Sequence, residues 1–310
     1  MPISDDFLKG FMRTLETGTK DDLAELGLKI AHFGWFKRLK MVINVYEKRF
    51  GGDELSDLMS VVYYTISKMD SKRAYKHTNG KGEFYYRCKR IFYEYLGYNP
   101  LALKYDRLAR KQYPQQSTFW RDVREKYFIL YKGDFDKFVG LEPSEDDIEY
   151  ISQLAIKTYA EGIYNLLLGR GDESYLKKAL RVLNLTLSEN YDHDSLRIMQ
   201  VLIPYTVFMG KGQIAKRLIK SAIDTAKTER SLYMFKWFEI YKAILSRDEN
   251  YLKFWADKFY NRRFLYHEVM CKGALLLMGY KEYGERVEII KNKHWHKHTL
   301  KFVEVLYGNG

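Results

Sequence analysis

Two short histidine-containing segments are the places where this sequence could hold a metal ion. His267 and Cys271 are four residues apart, a spacing that puts both on one face of a helix, as in zinc-binding helices. His294 and His298 share that spacing, with His296 between them. The first segment lacks an evident third ligand, and lysines flank the second. We therefore predict no metal and no cofactor, with a packed helix at the first segment and an exposed basic helix start at the second.

The sequence also lacks a strong catalytic pattern. The turn at 210–212 is not a phosphate-binding loop, because Lys211 is followed by Gly212 rather than by serine or threonine. No dinucleotide-binding glycine pattern follows a predicted strand. We therefore expect a protein that is not an enzyme.

Basic side chains gather late in the chain, where they could bind an anionic partner. A first group lies along one predicted helix and directly after it: Lys211, Lys216, Arg217, Lys220, Lys227 and Arg230. A second group is interleaved with Trp295 and Phe302: Arg262, Arg263, Lys291, Lys293, His294, Lys297 and Lys301. These cations could neutralise the phosphates of single-stranded RNA or DNA, and Trp295 could stack on an unpaired base. The alternatives are solvated helix faces around a core tryptophan, or an acidic peptide as the partner.

Net positive charge is concentrated in the same part of the chain. The protein has 310 residues and a formal net charge of +12. Residues 1–150 hold 26 basic and 23 acidic side chains, residues 151–200 hold 6 of each, and residues 201–310 hold 20 and 11. The last segment therefore carries +9, which indicates a nucleic-acid or acidic-protein partner. The alternative is a compositional bias toward lysine in a protein that binds no anion.

Composition excludes several classes of protein. With 46% hydrophobic and 16% aromatic residues, the chain can bury a core and is not expected to be disordered. Two cysteines, Cys88 and Cys271, cannot form a disulfide framework, so we expect a reducing compartment. The polar, acidic N-terminus does not resemble a secretory signal. Apolar runs are too short to span a bilayer, so we expect no membrane partner.

Nearly every segment has helical periodicity, and the turns between segments repeat. Each of three turns has a short polar link before an acidic residue that opens the next helix, at Asp134, Asp172 and Asp248, and Gln213 marks a weaker copy. The spacings of 38, 41 and 35 residues are typical of TPR or HEAT hairpins, which bury their apolar faces by stacking. No convincing run alternates with period two. We predict an all-α fold of stacked helical hairpins, with an irregular helical bundle as the alternative.

A proline lies inside one of the most apolar of these predicted helices, at 196–210. Pro204 removes a backbone donor and clashes one turn back, so we predict a helix kink that curves the stack. The alternative is a helix that ends before Pro204 and restarts after it.

The segment 197–211, with Pro204 near its centre, resembles the proline-containing helix of PCI-domain proteins. Further blocks fall in the order found in that family, at 159–164, 175–183, 238–248, 251–255, 259–264 and 273–278. Together they cover residues 155–300. Within the family, the sequence resembles the PCI subunit of the TREX-two transcription–export complex and its signalosome subunit-twelve-like relatives.

This resemblance implies a right-handed helical stack that ends in a winged helix, which pairs with a GANP-type scaffold protein. It also implies a small acidic Sem/Dss-type peptide along the stack, nucleic-acid binding and a role in mRNA export. The expected location is the nucleus at the pore, with the cytoplasm as the alternative. Only the first two helices of the winged helix have a counterpart here, at 282–291 and 296–307. The predicted division is N-terminal helical repeats at 1–150, PCI-type repeats at 151–280 and a truncated winged-helix segment at 281–310.

The leading hypothesis is therefore a non-enzymatic scaffold or adaptor subunit of a TREX-two-like complex, whose basic groups bind RNA, DNA or an acidic partner. The alternative is a PCI- or TPR-type scaffold of another assembly, such as the proteasome lid, the signalosome or an initiation factor, or a ribosome-associated factor.

Overall fold

The structure, a computed structural model, describes residues 5–80, 85–112, 118–137, 142–143 and 149–308. Within these ranges the chain forms seventeen α-helices and no strands, which confirms the predicted all-α fold of stacked helical hairpins. None of the helices in the described ranges is long and apolar enough to cross a membrane.

The N-terminal part consists of short helices that pair with their neighbours along the chain. Their bounds are α1 (Asp5–Thr17), α2 (Lys20–Phe33), α3 (Phe36–Phe50), α4 (Glu54–Val62), α5 (Ser71–Lys76), α6 (Tyr85–Leu96), α7 (Asn99–Gln112) and α8 (Thr118–Lys132). A π-helical turn, Tyr63–Ser67, continues α4, and a 3-10 turn, Phe135–Lys137, follows α8. The pairs α2/α3 and α6/α7 pack as hairpins, and α8 packs against the next helix in the chain.

The C-terminal part is a regular stack. Its helices are α9 (Tyr150–Leu167), α10 (Glu173–Ser188), α11 (Asp192–Phe208), α12 (Gly212–Thr228), α13 (Leu232–Leu245), α14 (Glu249–Arg262), α15 (Leu265–Leu277), α16 (Gly284–Lys293) and α17 (Lys297–Gly308). A 3-10 turn, Lys281–Tyr283, precedes α16. Helices α9, α11, α13 and α15 pack on one another and are buried over most of their surface, whereas α12 and α14 bury one narrow face. Stacked hairpins therefore form an inner layer and an outer layer.

Two of the predicted acidic turns cap helices in the expected way. The carboxylate of Asp172 accepts a hydrogen bond from the backbone N–H of Ser174 at 2.7 Å. The carboxylate of Asp248 accepts one from the backbone N–H of Tyr251 at 3.0 Å. At the second turn Arg247, with a φ of +54°, takes the left-handed position that glycine takes elsewhere. Asp134 instead precedes a 3-10 turn, and its carboxylate pairs with Lys132 at 3.0 Å.

Helix α11 continues through Pro204 without a break, so the alternative of two separate helices is wrong. Because Pro204 has no N–H, the carbonyl of Gln200 loses its partner within the helix. The hydroxyl of Tyr241, on α13, donates to that carbonyl at 2.7 Å. A neighbouring helix of the inner layer thus satisfies the acceptor that proline leaves open, while the predicted bend stays a prediction.

The last helix folds back into the stack instead of extending it. Helix α17 packs against α8, α9, α11, α13 and α15, and its Phe302 and Leu306 are fully buried. Asn99, at the start of α7, anchors the turn before α17 by donating to the carbonyl of His294 at 3.0 Å and accepting from the hydroxyl of Tyr266 at 2.7 Å. The C-terminal segment therefore joins the N-terminal helices to the stack.

Candidate functional site

Helix α12 is amphipathic, and its outer face carries most of the first basic group. Its inner face has small or aliphatic residues at intervals of three and four, and these are buried: Ala215, Ile219, Ala222 and Ala226. Because this spacing places them on one side of the helix, the cations between them face solvent. Five residues of the group are exposed, and we call them the α12 basic face: Lys216, Arg217, Lys220, Lys227 and Arg230.

The charge of the α12 basic face is largely uncompensated. None of its five members forms an ion pair with any residue that the structure describes, and the acid within α12 is Asp224. Lys211 differs, because it is half-buried and pairs with Glu173 at 2.7 Å. This pair joins the beginnings of α10 and α12. The structure thus brings five of the six predicted residues together as unpaired cations.

A row of alternating cations and aromatic rings continues this face across α13 to α14. The Nζ atom of Lys227 lies 5.3 Å from the ring centroid of Phe235. Lys236, which pairs with Glu239 at 2.6 Å, lies 5.3 Å from the same ring and 3.7 Å from that of Trp255. The ring of Phe254, 57% exposed, is 5.5 Å from that of Trp255. We call the two lysines and three rings the basic–aromatic track, which combines cation–π contacts with an exposed ring.

Of the basic–aromatic track, only Lys227 was among the residues predicted from the sequence. Phe235 and Trp255 belong to apolar patterns that predict core positions, yet both are half-buried at the surface. The sequence does predict, from the turn at Asp248, that α13 and α14 form a hairpin. Which side chains meet across that hairpin depends on helix packing, and the sequence pattern does not specify it.

The fold divides the second basic group into separate locations. Arg263 is exposed after the end of α14. Burial raises the pKa of Tyr98, and the charges of Arg263 and Arg286 oppose this rise. The ring of His294 is 5.0 Å from that of Tyr98, and Lys293 beside it is exposed. Arg262 is also exposed, at the end of α14.

The remaining lysines of the second group line a cavity of about 360 Å³ between α15, α16 and α17. Lys291 pairs with Glu288 at 3.1 Å, and Lys301 approaches Glu304 at 3.7 Å. Lys297 is exposed at the start of α17. Two of the three cations in this region therefore have an acid within reach, in contrast to the α12 basic face.

The aromatic residues of the second group belong mainly to the core. Phe302 is fully buried, and Trp295 is half-buried against the core with a left-handed φ of +62°. The side chain of Asn99 donates to the backbone carbonyl of Trp295 at 3.3 Å. This environment is that of a packed turn, so Trp295 offers less ring surface to a ligand than Phe254 does.

The histidines at 294–298 are packed, in contrast to the exposed helix start that we predicted. Burial lowers the pKa of His296 to about 3, and the neutral ring contacts the carbonyl of Gly97 at 2.7 Å. His298 stacks on Tyr131 with ring centroids 3.8 Å apart. Burial and the charge of Lys293 lower the pKa of His294 to about 4. None of these rings is a cation near neutral pH.

The first histidine segment forms a packed helix. His267 and Cys271 on α15 are fully buried, and Nε2 of His267 contacts the carbonyl of Tyr233 at 2.9 Å. Burial lowers the pKa of His267 to about 3 and raises that of the Cys271 thiol. Among the described residues, no three histidine, cysteine, aspartate or glutamate side chains are grouped so that they could hold a metal ion.

A larger internal feature was not anticipated from the sequence. This central cavity, of about 460 Å³, lies between α2, α4, α6, α8, α9 and α11. At its edge His32 Nε2 is 2.9 Å from the hydroxyl of Ser152, which donates to Asp194 at 2.6 Å. In a catalytic triad the histidine lies between serine and aspartate, whereas here the serine lies between the other two. The three residues thus join α2, α9 and α11 and are not arranged to activate the serine.

A scan against protein-family models finds no match for this chain, and a search of curated proteins finds none either. We therefore infer function from the geometry of the α12 basic face, the basic–aromatic track and the central cavity.

Proposed function

We propose that this protein is a non-enzymatic helical-repeat protein that binds single-stranded RNA or DNA along the α12 basic face and the basic–aromatic track. The observation that carries the proposal is the group of five exposed cations on and just after one outer helix, none of which is paired among the described residues. Unpaired lysine and arginine side chains release counterions from a phosphate backbone when they bind it.

The basic–aromatic track favours nucleic acid over an acidic peptide. Both ligands would be attracted by the cations, but unpaired bases also stack on aromatic rings. Phe254 offers an exposed ring beyond the Lys236–Trp255 contact, and Lys258 lies 5.3 Å from it. A single strand that follows α12 would therefore meet phosphate-neutralising cations first and a stacking ring next.

The finer part of the proposal is a subunit of a TREX-two-like export complex in the nucleus, with a GANP-type scaffold and a small acidic Sem/Dss-type peptide as partners. Its support is the order of the PCI-like blocks, which fall on α9, α10, α11, α13, α14 and α15. Proteins that copurify with the tagged chain test this part: scaffold and acidic peptide are expected, and proteasome-lid subunits or ribosomes would contradict it.

Nucleic-acid binding is tested by fluorescence anisotropy with labelled oligo(dT) over a salt series. If about five phosphates are contacted, the log–log slope of affinity against salt is expected to be about −3.5 for a single strand. A variant with Lys216→Gln, Arg217→Gln and Lys220→Gln should weaken binding and reduce the slope by about 2.

A matched control carries Lys291→Gln, Lys293→Gln and Lys301→Gln, which change the net charge equally in the second basic group. It should retain nearly all of the affinity, because two of these lysines already have acidic neighbours. Equal losses in both variants would show binding through net charge alone. Absence of binding at low salt, or displacement by polyglutamate as effective as by oligo(dT), would contradict the nucleic-acid proposal.

A further inference from the structure

The central cavity has one apolar side and one side lined by arginine. Its volume of about 460 Å³ lies within the range of small-molecule sites. The apolar side includes Leu58, Val62, Ile66 and Ile91. The other side includes three guanidinium groups from three helices: Arg90 on α6, Arg124 on α8 and Arg197 on α11. Such a division suits a ligand with an apolar body and a charged end.

Arg197 is the member of this set that lacks a partner. It is half-buried, and it forms neither an ion pair nor a hydrogen bond with any residue in the described part of the chain. A guanidinium taken out of water without a counterion lowers stability unless an anion approaches it. Burial opposes the charge of Arg197, but nearby tyrosines and the carboxylates of Asp194 and Glu94 raise its pKa and favour the charged form. Neither carboxylate forms an ion pair or hydrogen bond with Arg197 in the described part of the chain.

The other two arginines already have acids of their own. Arg90 pairs with Glu94 at 2.5 Å, and Arg124 pairs with Asp106 at 3.1 Å. Both line the central cavity, and burial and the neighbouring charge of Arg90 lower the pKa of Arg124 to about 10.

Two further acids and two histidines border the cavity. Asp194 accepts the hydroxyl proton of Ser152, and Glu149 lies at the start of α9. His193 contacts the hydroxyl of Tyr95 at 3.0 Å, and burial lowers its pKa well below the usual value, so it carries no charge at neutral pH. The two acids that act on Arg197, Asp194 and Glu94, thus bind Ser152 and Arg90 directly and Arg197 only through their charge.

We propose that the central cavity binds a small organic monoanion, a carboxylate with an apolar body, whose head group is held by Arg197. The planar guanidinium presents two parallel N–H donors that match the two oxygens of a carboxylate. The apolar body lies along the side that Leu58, Val62 and Ile91 form. This site is distinct from the α12 basic face and does not depend on nucleic-acid binding.

The test is isothermal titration calorimetry of the full chain with decanoate and with its uncharged analogue decanol. Decanoate should bind, and decanol should bind at least about tenfold more weakly, because it lacks the charge that Arg197 recognises. Arg197→Leu should weaken decanoate binding by about tenfold or more and leave decanol unchanged. Arg181→Leu, which removes an exposed arginine on α10, is the matched control and should change neither.

A second variant tests the site in case Arg197→Leu fails to fold. Ile91→Trp fills the apolar side of the cavity and keeps Arg197, so it should abolish decanoate binding while the circular dichroism spectrum stays helical. Equal affinity for decanoate and decanol would overturn the assignment of Arg197. Binding that survives Ile91→Trp would place the ligand elsewhere, and no decanoate binding by the unaltered chain would overturn the site itself.

Discussion

The α12 basic face and the C-terminal helices α15–α17 both contain members of the predicted basic groups, yet the fold treats these residues in opposite ways. On α12 the cations are exposed and unpaired among the described residues. In α15–α17 three lysines lie near acids, at Lys272, Lys291 and Lys301. Helix α17 is inside the stack, and the histidines at its start are neutral. Net charge therefore marks a region, but pairing and burial decide whether that charge can reach a ligand.

The difference has a local cause as well as a tertiary one. Lys216 and Arg217 have no acid three or four residues away, whereas Lys291 follows Glu288 by three residues. Helix position adds to this, because α12 is in the outer layer and α17 packs against six other helices. An outer helix with a single acid keeps most of its charge available, and an inner one cannot carry unpaired charge at low cost.

The largest expected effect is a loss of stability at mildly acidic pH, to which the buried histidines of α15–α17 contribute most and His193 on α11 adds. The folded-state pKa values of His267 and His296 are about 3, below the usual 6.5, so the unfolded chain takes up protons first as the pH falls. Each such histidine lowers the free energy of unfolding by up to about 1.4 kcal/mol per pH unit below 6.5. Together with His298 they should cost several kcal/mol by about pH 5, measured by urea unfolding at successive pH values.

Helix α12 contains no histidine, so the comparison has an internal control. Oligo(dT) affinity measured at constant salt should not fall from pH 8 down to the pH at which the chain begins to unfold, because protonation of Glu229 in this range removes a negative charge beside Arg230. His296→Gln should reduce the pH slope of stability by about one proton, whatever its effect on stability at neutral pH. A free energy of unfolding that does not change between pH 7 and 5 would show that these rings are not buried as described.

The next effect in size concerns the buried carboxylate of Glu268 on α15. It is fully buried, accepts two hydrogen bonds from Arg286 at 2.8 and 3.0 Å, and pairs with Lys272 at 2.8 Å. Glu268→Gln should cost about 3 kcal/mol, because it leaves two cations without their counterion in a buried site. Glu288→Gln, at a half-exposed pair of the same region, should leave the urea midpoint unchanged. Similar midpoints for both variants would contradict this account.

The sequence predicted the parts of this molecule that depend on local chemistry. The all-α stack, the caps at Asp172 and Asp248 and the exposure of Lys216 follow from periodicity and capping rules. The burial of His296 could not be predicted, because it depends on α17 folding back against Gly97, far away in the chain. The central cavity could not be predicted for the same reason, because its lining residues come from six helices that are far apart in the sequence.

A smaller effect of opposite pH dependence is expected at the end of α12. Burial, with the nearby charge of Asp192, raises the pKa of Glu229 from 4.5 to about 7. The folded state therefore holds this proton more tightly than the unfolded state, and stability falls as the pH rises from 4.5 to 7. Glu229→Gln should increase the free energy of unfolding by about 1–2 kcal/mol at pH 8 and leave it nearly unchanged at pH 4.5. An equal change at both pH values would indicate a steric rather than an ionic cause.

The smallest effect links pairing directly to function. Lys211 is the one residue of the first basic group that the described structure pairs with an acid, Glu173, and that acid is 54% exposed. Glu173→Gln should release Lys211 and increase oligo(dT) affinity by about twofold at low salt, with little change in stability, because exposed ion pairs contribute little. Glu189→Gln, which removes the same charge from an exposed position at the other end of α10, is the control. If both variants increase affinity equally, net charge rather than the release of Lys211 is responsible, and the distinction between paired and unpaired cations on this face loses its support.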